Sequence, residues 1–183
     1  HSNSDAFTIL SLASLLNLLL WLGGLYVLIS CLFPKDIHAT AFYALLFTLF
    51  LWGNNPWLYS GFFHLQALSL TLPYPSQFAS GLSFLAIGMF GMQTKTGMKV
   101  WSVPIALVSV VVLLSHPLSY LFLIAGLVAI YLAAKNRSPQ HLIFLVVVLL
   151  IDICAAFVWP YYPFLEFFVS EAHIYHASNK GMY

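Results

Sequence analysis

Apolar residues run along this chain in long unbroken stretches, and polar residues collect in the gaps between them. A helix needs about 20 such residues to cross the roughly 30 Å hydrocarbon core of a bilayer. Lipid offers no partner to a free backbone N–H or C=O, so stretches of this kind are expected to be helical. Six are read, at 7–33, 37–52, 76–94, 100–115, 117–134 and 141–159. The first is overlong and carries Gly23 and Gly24, which predicts that part of it is tilted or interfacial. The second and fourth are short, and Pro104 falls inside the fourth. Uninterrupted apolarity argues against a membrane β-barrel, whose strands alternate.

Helix breakers stand where the connections are needed. Pro34 follows the first stretch, Gly53-Asn54-Asn55-Pro56 ends the second, and Pro73-Tyr74-Pro75 precedes the third. His116-Pro117 divides one long apolar block into two helices. Asn136 to Pro139 and Trp159-Pro160 flank the sixth. No internal repeat and no linker is visible, so residues 1–183 read as a single domain.

Composition turns this pattern into a statement about solvent. Hydrophobic residues make up 62% of the chain and charged residues 6%. Soluble domains hold roughly 45–50% and about 25%. Six Lys and Arg and five Asp and Glu residues cannot cover the surface of a soluble fold of 183 residues. A soluble enzyme, a disordered chain and a nucleic-acid binder are therefore excluded. The expected fold is all-α: a polytopic membrane protein with about six transmembrane helices and one interfacial helix, its first partner the lipid bilayer.

Placement of the basic residues predicts orientation. Lys35 lies between the first and second stretches, Lys95 and Lys99 between the third and fourth, and Lys135 and Arg137 between the fifth and sixth. With six spans these loops share one side, the cytoplasmic one, and both chain ends lie outside. A seventh span at 57–72 would split the basic loops across both faces, so that segment is read as interfacial or re-entrant. An extracytoplasmic start with no basic leader or cleavage site predicts a piece of a longer multipass protein, with a span upstream. Cys31 and Cys154 are expected at different depths, unpaired.

Chemistry-bearing side chains gather on the outer side. Asp5, His64, Tyr74, His116, Tyr161, Glu166, Glu171, His173 and His176 all fall there. Asp152 sits about two residues from the centre of the sixth stretch, where an ionisable group is costly and marks either a functional site or a hydrogen-bonded packing device. The spacing of Glu171, His173 and His176 offers ligands to a divalent metal without matching a specific zinc motif, and an exposed polar tail has the same composition. His116, before Pro117, could meet an anionic group at a helix N-terminus or be a polar residue at a bilayer exit. Asp5 could cap the first helix or line a site. Ala79, Gly81, Gly88 and Gly91 predict close helix packing.

Several local patterns carry a family resemblance. Trp52-Gly53-Asn54-Asn55-Pro56-Trp57-Leu58-Tyr59-Ser60-Gly61-Phe62-Phe63 is followed by Leu72-Pro73-Tyr74-Pro75-Ser76. Ser115-His116-Pro117-Leu118 then opens one helix, and Trp159-Pro160-Tyr161-Tyr162-Pro163 closes another. Over residues 45–165 the chain resembles uncharacterised bacterial multipass proteins related to the GT-C glycosyltransferases. The resemblance implies an enzyme of the bacterial inner membrane that moves a sugar from a polyprenyl-phosphate donor on the extracytoplasmic face. It implies that these six spans correspond to the second to seventh of that module. The acid of the first outer loop would then lie upstream of His1. On that basis Asp5, Asp152 and Glu166 are the acidic candidates, His64, His116, Tyr74 and Tyr161 the substrate-facing ones, and Glu171, His173 and His176 the metal ligands. Two other classes stay open: a non-catalytic subunit among other membrane subunits, and a transporter fragment built around Asp152.

Overall fold

In the computed structural model the described residues are 5–51, 65, 68–135 and 137–160. They form an all-helical bundle with no strand among them. Its elements are α1 (Ala6–Leu32), α2 (Ile37–Phe50), a single turn α3 (Leu68–Thr71), α4 (Pro75–Thr96), α5 (Ser102–Ser115), α6 (Pro117–Ala133) and α7 (Pro139–Val158).

Proline explains most of the boundaries. Pro34 disfavours helical geometry at Phe33, where α1 ends. Pro75, Pro117 and Pro139 each open a helix, at a position whose missing N–H would have no intrahelical partner. Pro104 lies in the first turn of α5, so it does not break that helix. Gly97 adopts the left-handed conformation, φ 70°, and its N–H bonds to the Gln93 carbonyl, which stops α4. A 3-10 turn at Lys99–Trp101 then leads into α5.

The first helix is unbroken, and Gly24 serves packing rather than a bend. A Cβ there would strike the Gly81 carbonyl of α4. One on Gly81 would stand 2.8 Å from the Leu20 and Trp21 backbone, and one on Gly88 would stand 2.8 Å from the Leu28 backbone. Gly91 is likewise filled by Cys31. The expectation of close packing at Gly81, Gly88 and Gly91 thus acquires a partner, α1. Since Leu20 to Cys31 rises alongside Gly81 to Gly91, α1 and α4 are parallel. Phe84 against Phe122 and Ile87 against Gly126 put α6 parallel to α4 as well. Ser102 meets Gln93, which sets α5 antiparallel to α4. Ser109 meets Asp152, and Ser102 and His141 share a cleft, so α5 and α7 run together.

Alternation of direction has a direct consequence for the loops. Residues 33–36, 97–98, 134–135 and 137–138 lie at one end of the bundle, with Lys35, Lys95, Lys99, Lys135 and Arg137 in or beside them. His116, Tyr74 and Trp159 lie at the other. One turn of the expected interfacial segment 57–72 is described, as α3; the remainder lies outside the described residues apart from Leu65 and Leu72.

The core is apolar, with Phe90, Ile105, Leu123 and Leu127 fully buried, but apolar side chains also cover the outside while several polar ones are enclosed. Leu19, Val103, Leu107 and Leu121 are more than 60% exposed, while Asn17, Gln77, Gln93, Ser109 and Asp152 are buried. The central helix α4 is in contact with α1, α5 and α6 and is the least apolar of the long helices. Two helices, α1 and α7, are both long and apolar enough to cross a membrane. The helices α2, the α5 region (Lys99–Ser115) and α6 are apolar but shorter.

Candidate functional site

The halves of α5, α6 and α7 away from the basic end converge on one carboxyl group. Asp152 has no exposed surface. Its Oδ1 accepts from Ser109 Oγ on α5 at 2.8 Å, and its Oδ2 accepts from Tyr120 OH on α6 at 2.9 Å. A carboxyl buried away from water must find its donors within the bundle. Three helices are thereby tied through a single side chain. Both oxygens are engaged, so the site as it stands is a packing junction with no open face for a substrate.

One turn further from the basic end, His116 occupies the N-cap of α6. Its Nδ1 accepts from the Ser119 N–H at 3.2 Å and lies 2.9 Å from Ser119 Oγ. The helix N-terminus that could have received an external anion is thus capped by the imidazole itself. Burial pushes the His116 pKa below its ordinary 6.5. The neutral ring is the form that can accept the Ser119 N–H, so cap and lowered pKa favour the same state.

A third polar anchor lies between α1 and the turn that opens α4. Pro73 and Pro75 supply no N–H, so a continuous hydrogen-bond ladder cannot run through that turn. Asn17, buried in α1, donates to the Leu72 carbonyl at 2.6 Å and to the Tyr74 carbonyl at 3.4 Å. At the opposite end, Lys95 Nζ donates to the Cys31 carbonyl, satisfying an acceptor in the last turn of α1.

The predicted site residues distribute unevenly. Tyr74 is exposed at the N-cap of α4. Asp5 takes the N-cap position of α1, but its side chain makes no capping bond. It stands about 18 Å along the helix axis from Asn17, at 1.5 Å per residue, beyond the level of Tyr74. The structure therefore does not bring Asp5 beside His116 or Asp152. His64, Tyr161, Glu166, Glu171, His173 and His176 lie outside the described residues. Among the described residues no three His, Cys, Asp or Glu side chains cluster as a metal site. Ser109, Tyr120, Asn17 and Gln93 were not anticipated from sequence. Each is a polar residue within an apolar stretch, which is the available signal, but its partner lies far away in the chain.

No family model, curated protein or solved structure matches this chain.

Proposed function

We propose that the chain is a polytopic membrane domain in which α1, α2, α4, α5, α6 and α7 span a bacterial inner membrane. Its basic end faces the cytoplasm and both chain ends lie outside. Support comes from the apolar exterior, with Leu19, Val103, Leu107 and Leu121 exposed while Asn17, Gln93, Ser109 and Asp152 are enclosed. An exterior of that kind is favoured by an apolar surrounding. Local bilayer thinning accommodates the shorter helices.

Within that domain the activity proposed is sugar transfer of the GT-C type, from a polyprenyl-phosphate donor at the outer face. One observation supports it above the alternatives. The described chain leaves α2 at Leu51 and α7 at Trp159 at the end that also holds His116 and the Asp152 junction, opposite the basic end. In such a transfer a carboxylate takes the acceptor hydroxyl's proton as the oxygen attacks the anomeric carbon. The lipid phosphate leaves with the bonding electron pair. Glu166 is the carboxylate proposed, because Asp152 is fully engaged and Asp5 stands apart. His64, His116, Tyr74 and Tyr161 would line the substrate. Glu171, His173 and His176 would hold a divalent metal against the phosphate. A non-catalytic subunit of a larger membrane assembly is the second reading. It is favoured by the closed geometry of Asp152.

The test uses the protein in its native membrane. Tyr74→Cys should react with an impermeant thiol reagent added from outside, and Arg137→Cys should not; the reverse result sinks the orientation. Given a radiolabelled polyprenyl-phosphate hexose, the membranes should transfer label, and Glu166→Gln should abolish transfer at unchanged expression. Absent transfer with correct labelling leaves the subunit reading.

A further inference from the structure

At the basic end, α4, the start of α5 and the start of α7 enclose a cleft of about 530 Å³. Its two walls differ in chemistry. Gln93, Lys99, Ser102 and His141 supply a polar wall, and Phe144 and Val147 continue along α7 as an apolar one. Gln93 is only 3% exposed, and its Oε1 accepts from Ser102 Oγ at 3.2 Å. That bond leaves the Gln93 amide N–H2 without a partner among the described residues. His141 has a buried Nδ1 that also lacks one. A buried ring nitrogen short of a partner, an amide N–H2 opening to the cleft and an exposed ammonium together form a pocket suited to an acceptor that the described chain does not provide.

We propose that this cleft binds an anionic phospholipid, with the phosphate between Lys99 and the Gln93 amide and an acyl chain along Phe144 and Val147. The α7 N–H groups take no part, since Gln140 N–H and His141 N–H already bond to Ser138. Charge comes instead from Lys99, held at the cleft by the left-handed turn at Gly97. An inorganic phosphate would satisfy the polar wall alone and leave the apolar one uncovered. A lipid covers both. This inference rests on the membrane reading above but not on the sugar-transfer reading, which concerns the opposite end.

Binding can be read by native mass spectrometry of the detergent-purified protein titrated with phosphatidylglycerol. Phosphatidylcholine, inorganic phosphate and the variants Lys99→Gln and Lys35→Gln serve as controls. Lys35 carries the same charge at the same end but lies outside the cleft. Phosphatidylglycerol should bind in preference to phosphatidylcholine. Lys99→Gln should weaken that binding about fivefold, Lys35→Gln should leave it unchanged, and inorganic phosphate should not compete. Equal weakening by both variants would reduce the effect to general surface charge and overturn the site. Competition by inorganic phosphate would overturn the lipid assignment. If carbonate washing strips the protein from membranes, the membrane reading itself fails, a result separate from either.

Discussion

The two sides of this bundle are joined by different means. Between α1 and α4 the glycines let backbones touch along the length of the seam, and side-chain hydrogen bonds from Asn17 and Lys95 fasten only its two ends. Among α5, α6 and α7 the contacts are sparser, and the junction is a carboxyl group with its two donors. In lipid the hydrophobic effect does not drive helices together, so packing and interhelical hydrogen bonds are the forces left. This protein relies mainly on packing along the first side and on buried hydrogen bonds at the second. A seam made by shape has no tolerance for added atoms, whereas a hydrogen-bonded junction can lose one bond and keep the others.

The largest effect should therefore come from filling the seam. Gly81→Leu must displace the Leu20 and Trp21 backbone, and a loss of about 3 kcal/mol is expected, seen as a large fall in Tm in detergent. Gly23 has open space around it, so Gly23→Ala should leave Tm unchanged or slightly higher. If both substitutions cost the same, the seam is not what holds α1.

Smaller losses are expected at the junction. Asp152→Ala removes both bonds and strands the Tyr120 hydroxyl, at a cost of about 1–2 kcal/mol. Asp152→Asn keeps an acceptor oxygen and should leave Tm close to that of the parent. If that variant also abolished activity of the intact protein, Asp152 would be more than a junction. Single changes at the donors should be milder still, about 0.6 kcal/mol each for Ser109→Ala and Tyr120→Phe. Because both act through Asp152, the double variant should depart from additivity.

The smallest effect lies at the His116 cap. Its pKa is lowered in the folded chain, so on acidification the unfolded chain takes up the proton first. Stability should be complete well above pH 6.5 and should fall as the pH drops below that value. The fall should be about 1 kcal/mol, the worth of a cap. His116→Asn supplies a cap that does not titrate and should flatten the Tm against pH profile.

Much of this architecture was legible because prolines write helix boundaries into the sequence. Pro34, Pro75, Pro117 and Pro139 mark ends within a few residues of those found, and the basic loops predicted which ends lie together. Glycines were legible as a packing stripe on α4 but not in their pairing. Gly24 read as a place for tilt, and only the parallel approach of α1 shows it facing Gly81. Asp152 stood out as an ion in an apolar run. Its donors Ser109 and Tyr120 did not, since they lie 43 and 32 residues away on other helices. Local patterns carry helix ends, whereas tertiary pairing decides which lone polar residue meets which.

The parallel pairing of α1 and α4 has a bearing on how the chain is made. The bonds that join them link residues 55 to 64 positions apart, Asn17 to Leu72 and Lys95 to Cys31. At about 5–20 residues per second of synthesis, α1 leaves the ribosome several seconds before its partner exists. During that interval the Asn17 amide has no Leu72 carbonyl to bond and the Gly24 groove has no helix to fill it. In the bilayer proposed for this chain lipid would satisfy neither, so the first helix would be completed only once α4 arrives.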